Sequence, residues 1–440
     1  MYLEQIMASQ VADYRKKDGI LGVKLECEFV PVIAYLEWCG IKLDEHKWLQ
    51  KMEKDKKNLE DRKKLLDKFL VDNKLSKYYH IDLQGDLFEG FSTEPIIDVN
   101  WSSSRQVIQV AKDLGFNTTI QDKKTGEEKE SVLEKHLKTQ KGINDEFLKL
   151  YFDYQESAKV VSSFGQGHLD AINPLTGRLH TSWKQLGAAS GRMSCGSNQP
   201  DEDLAKFKHL PPSRCKYPNL QQLPHDEETR SCFVAEEGNL FVSCDWSAAE
   251  ARLAGDIYND QAIKDIFLNG IDSHSMYAKI FFKDALKDID VKDVKKLRPD
   301  LRNLAKGPEF ALNFGGGAFA IMSSIQCTEE EANQIIKNYE EGFKGTAEFA
   351  KNGSKLVRQN GYVLMNPITG HKMYWWDFDK WQTIQKKYQD ESWSWDNYRL
   401  YHKGTGDSVE IEVKQHFKIA SKWDRMVRNG PTQGEQHCPV

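Results

Sequence analysis

Arg302, Lys306, Phe310 and Phe314 follow one another at four-residue steps in the stretch "RNLAKGPEFALNFGGG". Four residues advance about 40° beyond a full helical turn, so these side chains share one slowly drifting stripe of a helix. Two cations at one end and two flat apolar rings at the other reproduce the order of groups in a nucleoside triphosphate, charge first and stackable ring second. The same spacing also suits a plain amphipathic helix with a basic flank. Lys292, Lys295, Lys296 and Arg298 lead into the stripe, and three glycines close it, which permits a tight turn. A second stretch, "CDWSAAEARLAG" (244–255), offers carboxylates. Asp245 ends a run of strand formers, "NLFVSCDW" (239–246), which reads as a buried strand. An acid at such an edge can hold a divalent ion; a capping aspartate is the alternative. Glu250 follows as the chain turns into a helix.

The elements that must position these groups are mostly helical. Phe29, Val32, Ile33 and Leu36 predict a helix over 26–39 that stops at Gly40. Asp44 reads as the cap of a long charged helix to about Leu70, with Trp48, Leu49, Met52, Leu59, Leu66 and Phe69 on its apolar side. Residues 73–100 read as loop, and 102–165 as helices around the charged loop "QDKKTGEEKE". Turns and alternation begin at "NPLTGRLHTSW" (173–183), and helix returns over 259–360. The segment 374–403 carries Trp375, Trp376, Trp381, Trp393 and Trp395 and reads as packing of an inserted helical subdomain, with base stacking as the alternative.

The chain has 440 residues, long enough for two or three domains, and 39% hydrophobic with 29% charged residues is ordinary for a soluble protein. A net charge of −5 neither advertises nor excludes a nucleic-acid partner, because local patches matter more than the sum. No apolar run reaches membrane-spanning length, so no membrane is expected, and the eight cysteines show no CxxC pair, as in reduced cytoplasmic proteins. Zinc held by Cys195, His209, Cys215 and His225 would fit no common spacing.

Taken in order, these stretches resemble the family A DNA polymerases. "GRLHTSWKQLGAASGRMS" and "PNLQQLP" look like that family's palm entry, and "FVAEEGNLFVSCDWSAAEARLAG" like its first catalytic motif. "DSH" (272–274) resembles its fingers histidine, "RNLAKGPEFALNFGG" its nucleotide-binding helix, and "NGPTQG" (429–434) its Asn-x-Pro-x-Gln-Gly. The resemblance implies an α+β, right-hand architecture with helical thumb, mainly helical fingers and an antiparallel palm that is incomplete here. It implies a remnant linker or last exonuclease-domain helix at 1–25, thumb with adjoining palm helix at 26–170 and palm at 171–258. Fingers would follow at 259–415 and palm re-entry at 416–440.

By the same resemblance Asp245 would ligate two magnesium ions, helped by the Trp246 carbonyl, for deoxynucleotidyl transfer to a primer 3′-hydroxyl. Lys306, Arg302 and His274 would hold the deoxynucleoside triphosphate, with Lys306 also a general acid. Phe310 would stack on the incoming nucleotide, Phe314 would fill the templating-base pocket, and Glu250 would block a 2′-hydroxyl. Arg192, Asn219, Gln221, Gln222, Asn429 and Gln433 would touch primer–template DNA at minor-groove acceptors, and Lys159, Ser162 and Ser163 its phosphates.

Some features depart from the family's pattern. The family's His-Asp-Glu hairpin, which supplies the second metal-binding aspartate, has no counterpart after Gln433; His225-Asp226-Glu227 precedes the first motif and reads as an exposed turn. The expectation is a chain inactive or weakly active alone, completed by a second polypeptide carrying the C-terminal palm or shortened from a longer one. No proofreading exonuclease activity is expected. Pro308 leaves two options, a helix bent there or one that starts there with Lys306 in the preceding turn. Ala248 stands where the family often has glutamine, and the insertion 195–217 is long for its place. The rivals are a non-catalytic primer–template binding protein and an RNA polymerase on a related palm, the latter opposed by Glu250.

Overall fold

The computed structural model describes residues 2–16, 19–81, 95–121, 128–140, 142–188, 191–313, 315–366, 370–375, 377–388, 398 and 400–435. Phe314, Trp376, Trp393 and Trp395 lie outside this set. The chain forms two compact units. One is built from 36–182 and 195–242, the other from 1–35, 183–194 and 243–440.

In the first unit, Asp44 caps the helix Glu45–Asp72 by accepting from the Lys47 N–H at 3.0 Å. Trp48, Met52, Leu66, Phe69 and Leu70 are buried along it, whereas Leu49 faces water. The lower part of that helix packs with Asp145–Ser163 around Trp101, Phe147, Tyr151 and Tyr154. The upper part meets a four-stranded antiparallel sheet in the order Phe233–Val234, Ile41–Leu43, Arg178–Leu179, Ile172–Asn173. Arg178 ties this sheet to Glu236 and to the Cys39 carbonyl. The span read as loop, 73–100, contains a paired hairpin, Tyr79–Ile81 with Pro95–Ile97. The charged loop is likewise flanked by paired Thr119–Gln121 and Glu128–Glu130. The insertion 195–217 folds back on itself around Glu202–Lys208, with Asp201 N–H to the Cys215 carbonyl at 2.7 Å. It is held down by Lys208 on the Leu169 carbonyl and by Arg214 on Asp170.

The second unit is mainly helical. Ser273–Phe281, Pro299–Asn313, Ala318–Ile325 and Glu329–Gly342 enclose a core of Tyr277, Phe281, Ala305, Leu312, Ile321, Tyr339 and Phe343. A second core joins Trp375, Trp381 and Trp423, with ring centroids 5.1 and 5.3 Å apart, to Val357 and Val427. The described tryptophans of the aromatic segment therefore pack, as their apolar area favours. The helix read over 26–39 runs over Ile20–Cys39, and its anticipated apolar face is not buried: Val32 and Leu36 are exposed.

The largest correction concerns residues 239–246, read as a buried strand ending in Asp245. They form neither helix nor strand, and Leu240, Val242 and Trp246 are 92%, 84% and 81% exposed. Strand propensity alone does not make a strand; backbone donors and acceptors need a neighbouring strand, and the described residues provide none there.

Candidate nucleotide site

The helix Pro299–Asn313 begins on a proline at its first position, where no N–H is needed. It continues through Pro308, so Arg302, Lys306 and Phe310 do share one helix, and the alternative start at Pro308 is not adopted. Gly307 allows this course: a Cβ there would sit 2.8 Å from the Ser324 Cβ and Oγ of the adjacent helix. The helix ends as a Schellman motif, with Gly316 N–H to the Ala311 carbonyl at 2.7 Å and Gly315 N–H to the Leu312 carbonyl at 3.0 Å. Gly315 has φ +71°, which a side chain would resist.

Lys306 is exposed on this helix and Phe310 is 66% exposed. Arg302 is not free. Its Nε and Nη2 both donate to Asp272 at 2.7 Å, a bidentate pair largely withdrawn from water. Asp272 is in turn the N-cap of Ser273–Phe281, accepting from the Ser275 N–H at 2.9 Å and its hydroxyl at 2.8 Å. Hydrogen bonds from Arg302 and then Ser275 outweigh burial and hold the Asp272 carboxyl well below the usual carboxylate range. Two residues after Asp272, His274 Nδ1 meets Glu309 Oε2 at 2.6 Å. An ion pair and a histidine–carboxylate contact thus fasten the first turn of the histidine helix to the stripe helix.

Glu250 and Arg192, assigned above to different ligands, are ion-paired to each other. Glu250 lies in the first turn of Ala249–Ile257, whose preceding residue Ala248 takes a left-handed φ of +51°, uncommon for a residue with a Cβ. A cleft of about 1040 Å³ is lined by Glu250, Tyr277, Leu312, Asn313, Tyr339 and Arg358 among others. Asn313 Oδ1 there accepts from the Tyr277 hydroxyl at 3.1 Å and the Tyr339 hydroxyl at 3.3 Å. Burial pushes the Tyr277 phenol well above its usual range, so it stays a donor.

In the other unit, Lys159, Ser162 and Ser163 are exposed at the end of Asp145–Ser163. Asn219 caps a short turn by accepting from the Gln221 N–H at 3.0 Å, and Gln221 and Gln222 face water. Asn429 and Gln433 fall in the helix Ser408–Glu435, with side chains outside the description. His225, Asp226 and Glu227 are exposed as expected, with Asp226 capping Glu227–Arg230.

The residues present do not by themselves fit a two-ion metal site. Asp245 is exposed, and the described residues contain no group of three or more His, Cys, Asp or Glu able to hold a metal. Cys195, His209, Cys215 and His225 form no such group. Asp272 and Glu309 are what the sequence reading missed. Asp272 had a legible signal, an acid three residues before Ser275 at a helix start; Glu309 had none, because its partner His274 lies 35 residues away in the chain.

The architecture is the α+β fold of a nucleic-acid polymerase domain. It superposes on the "POL domain of Pol1 from M. smegmatis complex with DNA primer-template and dNTP" with a TM-score of 0.67 and 18% identity, covering 97% of this chain and 60% of that one. Residues 213–393 match the model of DNA polymerase family A. DNA polymerase I of Caldicellulosiruptor bescii is 31% identical over 223 residues, 50% of this chain and 23% of the relative. The thermostable DNA polymerase I of Thermus aquaticus is 28% identical over 282 residues, 62% of this chain and 30% of the relative. The chain thus spans about a quarter to a third of the curated relatives it matches. Among the described residues no helix is long and apolar enough to cross a membrane.

Proposed function

We propose that this chain carries the nucleotide-selecting part of a template-directed DNA polymerase. The observation that carries the reading is the unbroken helix Pro299–Asn313, which presents Lys306 and Phe310 outward within the family A segment. Lys306 would meet the triphosphate and protonate the leaving pyrophosphate, and Phe310 would stack on the incoming nucleotide. His274 would add a phosphate contact. Arg302 would join only by leaving Asp272. Phe314 would close the templating-base pocket, and Glu250, held by Arg192, would exclude a 2′-hydroxyl. Primer–template DNA would run against Asn219, Gln221, Gln222, Asn429 and Gln433, with Lys159, Ser162 and Ser163 on its phosphates. In this assignment most thumb residues, with Asn219, Gln221 and Gln222, fall in the unit of 36–182 and 195–242, and Arg192 and the fingers in the other.

Divalent ions, magnesium in this reading, stabilise the charge that develops in such a transfer. Asp245 and the Trp246 carbonyl are the groups of this chain that would contribute to holding them. A second carboxylate would come from a strand-forming segment supplied outside residues 1–440, in a continuing chain or a second polypeptide. Exposed Leu240, Phe241 and Val242 support this, because apolar strand formers in water are suited to take a neighbouring strand. A second reading is a primer–template binding protein without catalysis, in keeping with described residues that bring no three His, Cys, Asp or Glu together to hold a metal.

Primer extension decides between them. The chain alone, the chain with a family-type C-terminal palm fragment, and that mixture with Asp245→Ala are compared on a labelled primer–template with magnesium and four deoxynucleotides. Extension only in the second reaction supports the polymerase. DNA binding without extension in all three supports the binding protein and overturns the catalytic reading.

A further inference from the structure

Glu309 is a mostly buried carboxylate in the middle of the stripe helix, and Nδ1 of His274 lies 2.6 Å from its Oε2. Buried carboxylates persist when paired and hydrogen-bonded. The groups facing this one are His274, Asp272 and Tyr277 from the histidine helix and Arg302 from its own. Burial raises the Glu309 carboxyl above its ordinary value, while His274 and Arg302 pull it down. Neither Asp272 nor Arg302 shares its hydrogen bond to His274, because those two are locked to each other. With Nδ1 taken, Nε2 is the ring nitrogen left for a ligand.

We propose that Glu309 is a positioning residue for triphosphate binding: it accepts the Nδ1 proton of His274 and holds the ring doubly protonated, so that Nε2–H donates to a phosphate oxygen. The inference rests on the nucleotide reading above. A neutral imidazole that gives Nδ1–H to a carboxylate has only a lone pair at Nε2, which a phosphate oxygen repels. The imidazolium donates at both nitrogens, and a carboxylate on one side favours that form. Carboxylate, imidazolium and phosphate then alternate in charge, and triphosphate binding takes up a proton when it starts from neutral histidine.

The test is equilibrium binding of a fluorescent deoxynucleoside triphosphate with magnesium to the 440-residue chain, across the pH range in which histidines titrate. Affinity of the unaltered chain falls as pH rises. Glu309→Gln binds roughly tenfold more weakly near neutrality, and its loss of affinity begins at lower pH. His274→Ala shows a weaker, flat profile, and the double variant matches His274→Ala. Calorimetry of the unaltered chain in two buffers of different ionisation enthalpy reads proton uptake directly, independent of any variant's folding. Equal pH profiles for Glu309→Gln and the unaltered chain, additive losses in the double variant, or zero proton uptake at the alkaline end of that range, where the free ring is neutral, each overturn the assignment of Glu309. No triphosphate binding by the unaltered chain is a different result, which overturns the nucleotide site itself and this inference with it.

Discussion

Replacing Asp272 by asparagine should destabilise the fold and strengthen triphosphate binding at the same time. Asp272 receives four hydrogen bonds, two from Ser275 and two from Arg302, all between 2.7 and 2.9 Å. Asparagine caps a helix as well as aspartate does, so the Ser275 contacts survive. The Arg302 pair loses its charge and one acceptor, worth roughly 1.5–3 kcal/mol for a bond to a charged group. The pair is partly solvated, with side chains 16% and 33% exposed. Screening reduces the expected loss to about 1–2 kcal/mol near neutral pH. The sign with pH follows from the depressed carboxyl: its stabilisation is complete above the ordinary value of 3.8 and is lost as pH falls through the lower folded value. Urea unfolding of both proteins at neutral pH and in acid measures this, and the difference should shrink in acid. Arg302, released, becomes available to phosphate, so the triphosphate Kd should fall several-fold. Unchanged stability refutes the claimed strength of the pair. Triphosphate affinity that drops along with stability refutes the competition between Asp272 and phosphate for Arg302.

Lowering pH should unfold the other unit partway through the acid range. Burial first, and then the nearby Lys51 cation, push His168 down from 6.5 to about 4. Its neutral form therefore contributes stability that is present above 6.5 and is lost towards 4, on the order of 3 kcal/mol; His168→Gln should flatten that part of the unfolding profile, and an unchanged profile would refute the argument. Gly315→Ala should cost about 1–2 kcal/mol for the left-handed backbone alone, and more because a Cβ would lie 3.2 Å from the Arg425 Cα; thermal melts read it. Glu250→Ala, in an assembly that extends primers, should narrow the preference for deoxy- over ribonucleotides and free Arg192 from its ion pair. An incorporation ratio equal to that of the unaltered protein would falsify the steric role of Glu250.

What the sequence made legible, and what it hid, divides along a physical line. Local rules carried the Asp44 cap, the Trp48–Phe69 apolar side, the four-residue stripe and its glycine stop, because each is set within one or two helical turns. Pro308 shows a local rule losing: tertiary packing at Gly307 against Ser324 accompanies a helix that propensity would break. Residues 239–246 failed for the opposite reason, since a strand is a property of two segments and only one was on view. The partners of Arg302, His274 and Glu250 were also hidden, because Asp272, Glu309 and Arg192 are brought in from 30, 35 and 58 residues away. A list of site residues read from spacing misses the groups that occupy them before any ligand arrives.

The segments of the two compact units alternate along the chain in the order of synthesis. The unit of 36–182 and 195–242 is complete once residue 242 has been made, whereas the other holds residues 1–35 and must wait for 243–440. Closing a gap of roughly 200 residues costs on the order of 4–5 kcal/mol of chain entropy by the logarithmic rule. The N-terminal helices thus remain without their unit while the middle of the chain folds, and Leu3, Ile6, Met7 and Leu21 stay exposed even afterwards. Neither unit can be obtained by a single cut, so dissection of this protein calls for circular permutation or rejoined segments rather than truncation.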